Sequence, residues 1–231
     1  VAVGQAALLK NTTASDNTAV GKSALICNTT GDKNTSVGAY SLDANTTGLC
    51  NVAVGRVSLT SNTEGDNNTA VGHHALSANT TANNNTAVGY YSLCANTTGT
   101  PNTAVGMCSL QANTTGNDNV AIGYRALKLN TTTSSNVAVG VNSLANNVAS
   151  NNTAVGTSAL VANTTGANNV AVGWEAGCSI TDSVGHVAVG YEALQNTTTG
   201  DVNVAIGYRS LFSNTTASNN TAVGAYALCS N

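Results

Sequence analysis

One short pattern of apolar and polar positions recurs along the whole chain. An Ala-Val-Gly or Ala-Ile-Gly triplet, with Ser36 once in place of Ala, ends at Gly4, Gly21, Gly38, Gly55, Gly72, Gly89, Gly106, Gly123, Gly140, Gly156, Gly173, Gly190, Gly207 and Gly224. Every step is 17 residues except the 16 from Gly140 to Gly156. Around it the unit reads Asn-(Thr/Val)-Ala-(Val/Ile)-Gly-x-x-(Ala/Ser)-Leu-x-x-Asn-Thr-Thr-(Gly/Ala)-x-x. A fixed period of this kind marks a stacked-repeat architecture. Seventeen residues are too few for two packed helices, and Asn, Thr and Gly disfavour helix. The unit suits one coil of a parallel β-solenoid, each coil stacked on the last at about 4.8 Å. The expectation is therefore an all-β parallel β-solenoid, or β-roll, of about fourteen coils in a single domain over residues 1–231. Its length would be about 60 Å. A first strand should lie on Thr/Val-Ala-Val, as at 52–54, followed by a kink at Gly and a shorter second strand around Ala75 and Leu76. The Asn-Thr-Thr-Gly corner closes the coil.

Each column has a physical reading. Val or Ile immediately before the glycine (Val20, Val71, Ile122, Ile206) and Leu four after it (Leu25, Leu76, Leu127, Leu211) are the large apolar columns, expected to fill the interior. Asn four before the glycine (Asn17, Asn34, Asn51, Asn68) and Asn opening Asn-Thr-Thr suit corners, where Asn tolerates left-handed backbone and where stacked amides form ladders. Glycine suits a bend or close backbone approach. The Ala column (Ala19, Ala53, Ala70, Ala87, Ala104, Ala121, Ala138, Ala171, Ala205) should point opposite to the interior Val by strand alternation. A strand apolar on both faces is normally covered on both, so these alanines are read as a self-packing face against another copy. The alternative is that Ala faces a cramped interior corner of its own coil.

Composition narrows the function. Charged residues make up 7% of the chain, against about 25% in ordinary domains. With a net charge of −3 there is no electrostatic footprint for nucleic acid. No apolar run is long enough for membrane insertion, and the absence of an initiator Met reads as an excerpted or processed piece. No phosphate-binding glycine loop, nucleophile elbow or calcium nonapeptide is present, so no catalysis, metal or cofactor is expected. Adjacent threonines such as Thr29 and Thr30 diverge, which argues against an ice-binding array.

Diversity is confined to the two positions after each glycine. They hold Tyr90, Tyr91, Tyr124, Trp174, Glu175, Tyr191, Glu192, Tyr208, Arg209 and Tyr226, which form the candidate binding strip, together with Tyr40, Arg56, His73 and His74. Variable residues on a regular scaffold are how repeat proteins display a binding surface. The densest patch is Trp174, Tyr191 and Tyr208 beside Glu175, Glu192 and Arg209, suited to a glycan or a cell-surface receptor, although cross-strand ladders also stabilise a sheet with no ligand. Glu175 and Glu192 should stand about 5 Å apart and couple in titration, relieved by Arg209. His73 and His74, being consecutive, should point apart, with Arg56 and Tyr90 flanking His73. In the coil that starts at Gly173, Gly177 replaces Leu and His186 replaces the corner Asn. Ile180 is read there as a filler of the vacated Leu volume.

The Asn85–Gly89 and Asn136–Gly140 strings resemble the repeat of trimeric autotransporter adhesin heads. The longer unit is similar to repeats in phage and bacterial tail-fibre-like proteins. The resemblance implies a homo-oligomer, a parallel homotrimer or a filament, in an extracellular, cell-surface or virion-surface fibre, with adhesion as the alternative role. The adhesin unit is shorter, and neck, stalk and anchor are not recognised here. The six cysteines are not expected to pair within the chain, since Cys94 and Cys108 sit about 10 Å out of register. Sequons at Asn28, Asn45, Asn96, Asn113 and Asn163 are possible glycosylation sites on a secretory route.

Overall fold

The computed structural model describes residues 1–230 and resolves two compact units, Val1–Asp118 and Asn119–Asn231. Each is an all-β stack of parallel coils. The first carries strands β1 (Ala2–Val3) to β7 (Asn102–Val105), the second β8 (Asn119–Ile122) to β14 (Thr221–Val223). Within each unit sequential strands pair in parallel and column matches column: Ala53 with Ala70 and Val54 with Val71 in the first, Val189 with Ile206 in the second. The parallel β-solenoid and its 17-residue spacing stand as expected. The short coil loses its residue at the Asn-Thr-Thr corner. There Asn147 reaches the Ala149 carbonyl two residues on, where Asn45 reaches Gly48 three on, and strand pairing continues unbroken from Val137 to Thr153.

The column glycine is obligatory for two independent reasons. Gly72 has φ +134°, a region closed to other residues, and a Cβ there would lie 2.5 Å from the Gly89 carbonyl oxygen. Coils therefore stack through bare backbone at the bend.

Beyond the glycine the structure corrects the expected second strand. The Ala75–Leu76 segment is a run of turns, because φ is positive at the second and fourth residues after glycine, as at His74 (57°) and Leu76 (52°). This left-handed alternation turns amide groups toward both neighbouring coils. His74 N–H donates backward to Arg56 and Leu76 N–H forward to Ser92, so the turns are stapled without strand geometry. It also places consecutive side chains on one side, and the Ala or Ser before Leu is buried together with that Leu.

The facing of the first strand is also corrected. Ala19, Ala53, Ala70, Ala87, Ala104, Ala121, Ala138, Ala171 and Ala205 are all 0% exposed and point into their own coil, so they are not a self-packing face. Val20, Val54 and Val71 point outward and are only half-buried, and Ile122 and Ile206 are exposed. The interior beside the bend is narrow and the Leu column already fills it, leaving room only for a methyl group. Ser36 fits there because its hydroxyl donates to the Ser41 carbonyl at 2.7 Å. What faces out is the Thr/Val column and the Val/Ile column, two β-branched rows with no charged residue in either.

Two files of asparagine complete the interior. In the first, Asn45 Nδ2 donates to Asn28 Oδ1 on the preceding coil (2.9 Å) and to its own corner carbonyl at Gly48 (3.0 Å); Asn62 and Asn79 repeat the pattern. In the second, Asn51 N–H donates to Asn34 Oδ1 (2.9 Å) and Asn51 Nδ2 to Gly65 O (2.7 Å). In the first file Nδ2 donates twice, as at Asn45 and Asn62, and in the second file Asn51 donates through Nδ2 while Asn34 Oδ1 accepts, which is what makes these buried amides tolerable. Asn28, Asn45, Asn96, Asn113 and Asn163 are members of the first file, 0% exposed. Their Nδ2 atoms are hydrogen-bonded inside, so the folded chain has no room for a glycan on any of the five, which corrects the sequon reading.

Candidate functional site

The strip after the glycine is where the chemistry-bearing side chains reach solvent. Because the second residue after glycine is left-handed, the two strip columns lie side by side on one surface. The His73 and His74 rings are 4.3 Å apart between centroids, which corrects the expectation that they diverge. Residues on successive coils then meet diagonally. Glu192 N–H donates to the Trp174 carbonyl (2.9 Å), Arg209 N–H to Tyr191 (2.9 Å) and Tyr226 N–H to Tyr208 (2.8 Å).

In the second unit Trp174, Tyr191 and Tyr208 stack face to face, with centroids 4.9 and 5.2 Å apart and planes within 13° and 8°, and Tyr226 meets Tyr208 edge-on at 5.2 Å. Glu192 is buried beneath this stack, 5% exposed, and ion-pairs with Arg209 through Nε. Arg209 in turn lies over Tyr208 (5.6 Å) and Phe212 (5.0 Å). The Glu192 carboxylate raises the Arg209 pKa, and desolvation followed by the hydrogen bond to Glu192 raises that of Tyr191, so both side chains keep their protons throughout the ordinary range. Glu175 is not left as a second free carboxylate, since Gln195 Nε2 donates to its Oε2 at 2.6 Å. Tyr124 stands apart from the stack and carries Arg125 at 4.9 Å over its ring.

In the first unit a smaller cluster gathers His73 on Tyr90 (5.6 Å, 10°) and His74 on Tyr91 (4.8 Å, 20°), with Arg56 Nη1 3.3 Å from His73 Nε2. Desolvation, then the charges of His73 and Arg56, lowers the His74 pKa. Gln195 and Phe212, which clamp Glu175 and Arg209, escaped the sequence reading. The signal was available as an i, i+3 relation inside the turn, as in Arg209 and Phe212, but a strand assignment hides it.

His186, in the irregular coil, is turned inward and 1% exposed, so it joins no surface site with Trp174 and Cys178. Its N–H donates to Asn169 Oδ1 (2.9 Å), its Nδ1 accepts from Asn203 N–H (3.2 Å) and its Nε2 faces Ser183 Oγ (3.0 Å). The six cysteines are free. Among the described residues there is no cleft, no group of three or more metal-ligating side chains, and no helix long and apolar enough to cross a membrane. Comparison of the sequence with family models, with characterised proteins and with solved structures gives no match.

Proposed function

We propose that this chain is a non-catalytic structural segment, a run of solenoid coils that associates side by side with copies of itself in an extracellular or virion-surface fibre. The observation that carries this reading is the outward sheet face: two uncharged β-branched columns that stay half-buried, as at Val54 and Val71, or exposed, as at Ile122, Val155, Val170, Val172 and Ile206. A parallel sheet apolar on its outer side is ordinarily covered. The partner that matches its row spacing is another copy of the same sheet, so that β-branched rows interdigitate at the shared repeat. One unit's face amounts to only about 300 Å², below the roughly 800 Å² per partner of a stable interface. Association therefore has to gain strength from repeat number or from more than two copies, in line with the homotrimer or filament implied by the resemblance to adhesin heads and tail fibres. Sedimentation velocity tests this. The wild type should run heavier than one chain, and the Val54→Lys, Val71→Lys variant as a single chain; equal masses for the two overturn the reading. Lysine at Ala53 or Ala70 would instead bury a charge and unfold the coil.

The second reading, an adhesive module recognising glycan or a cell-surface receptor, is favoured by one observation. The exposed aromatic stack with its Glu192–Arg209 pair is concentrated on one strip of an otherwise plain surface. It predicts that cell binding is lost in Tyr191→Ala.

A further inference from the structure

Stacking restricts what the aromatic strip can bind. Tyr191 is covered on one face by Trp174 and on the other by Tyr208, so its flat surfaces are already occupied. Trp174 differs. Tyr191 covers one face, while on the preceding coil the same column holds Thr157, exposed and too small to cover the other. The indole is 40% exposed and forms one wall of a step one coil deep. The side of that step is Glu175, whose N–H donates to the Thr157 carbonyl at 3.0 Å. Its carboxylate is half-buried and accepts from Gln195 Nε2 through Oε2 at 2.6 Å. The hydroxyls of Thr157 and Ser158 lie on the coil that forms the floor.

We infer that this step is a subsite for one neutral pyranose ring, which stacks its C–H face on Trp174 in the place of the ring that Thr157 lacks and gives a hydroxyl proton to Glu175. The inference rests on the adhesive reading and locates it. A pyranose has the right thickness, because Tyr191 shows that a ring seats against this indole at 4.9 Å. The carboxylate disfavours anionic ligands such as nucleotides, and a single open ring face is less than the aromatic cage that holds quaternary ammonium ions. With no enclosing walls the affinity should be millimolar, as fits a site that works by repetition along a multicopy fibre.

Trp174 is the one tryptophan of the chain, so its emission reports this step directly. Titration with the methyl pyranosides of glucose, galactose and mannose should give a saturable change in emission for at least one of them. Mannitol, which has hydroxyls but no rigid C–H face, should give none. Thr157→Tyr adds the missing ring, of a kind this column already accepts at Tyr191, and should weaken the response at least tenfold. The site is overturned by an absent pyranoside response, by an undiminished response in Thr157→Tyr, or by a response to tetramethylammonium in place of sugar. Cell binding measured on the same proteins separates the two claims. Binding kept in Thr157→Tyr but lost in Tyr191→Ala removes this subsite and keeps the adhesive strip, whereas wild type that binds no cell surface removes the adhesive reading.

Discussion

Residues 68–84 and residues 169–185 solve one packing problem with different side chains. In the first coil Leu76 fills the interior and Asn79 carries the amide file, bonded to Asn62 behind it and bonded by Asn96 in front. In the second, Gly177 takes the Leu position and Ile180 the Asn position. Ile180 is 0% exposed, and its Cδ1 lies 2.9 Å from where a Gly177 Cβ would stand, so it reaches back into the space a leucine would occupy, as the sequence suggested. Volume is conserved and hydrogen bonding is not. Ile180 cannot donate to Asn163, whose Oδ1 is buried without a partner, the one such side-chain atom among the described residues. The file resumes with Thr197, which accepts from Asn214 Nδ2. The comparison teaches that the core tolerates a change of shape in pairs, while the amide file tolerates an interruption only at a cost of about 1–3 kcal/mol.

The sharpest way to break this contrast is to impose the second solution on the first coil by halves. Asn79→Ile alone keeps Leu76 in place, strands the Asn62 carbonyl and overfills the interior; urea unfolding should show a loss of about 4 kcal/mol. Next in size is the reverse repair. Gly177→Leu with Ile180→Asn rebuilds the regular coil and gives Asn163 its donor, which should raise stability by about 2 kcal/mol. Gly177→Leu without its companion should destabilise by clash with Ile180.

The smallest effect concerns His186, which stands in the second amide file of the same irregular stretch. It works as an asparagine surrogate only when neutral, since Nδ1 must accept from Asn203 N–H and Nε2–H then donates to Ser183. Burial lowers its pKa, opposed by Asp201, the charged group that acts on it. The unfolded imidazole takes up its proton near pH ~6.5 and the native one resists. Above that range the group costs nothing, and as pH falls through it the unfolded state gains the proton and stability declines, by at most about 1.4 kcal/mol per pH unit. Wild type should show this slope between neutral and mildly acidic pH in thermal unfolding. His186→Asn, with the residue the other coils use, should be flatter over the same window.

The period, the bend glycine, the interior leucine and the amide corners were legible in the sequence, because each is one column of one residue type with one physical cause. The facing of the first strand was not. Alternation fixes that Ala and Val oppose each other but not which is inside, and size alone argued for Val. The deciding fact was that corner Asn shares a face with Ala, so burying one buries the other, and that Thr, which varies freely with Val, shares the outer face. The candidate strip was legible as a list of positions. Its geometry was not, because the left-handed residues at Glu175, Glu192 and Arg209 remove the alternation that a strand reading assumes. Which rings cover which faces then follows from coil order alone, as in the run from Thr157 through Trp174 to Tyr208.

The stacking of the column glycines reaches into how such a gene can change. Gly72 meets Gly89 much as Gly190 meets Gly207, backbone against backbone, with no side chain to tell one neighbour from another. Any coil can thus follow any other. Recombination between repeats that adds or drops a whole coil preserves reading frame, ladder and bend together, so length can evolve in single steps, while a slip of part of a coil survives only where the Asn147 corner shows it can be absorbed.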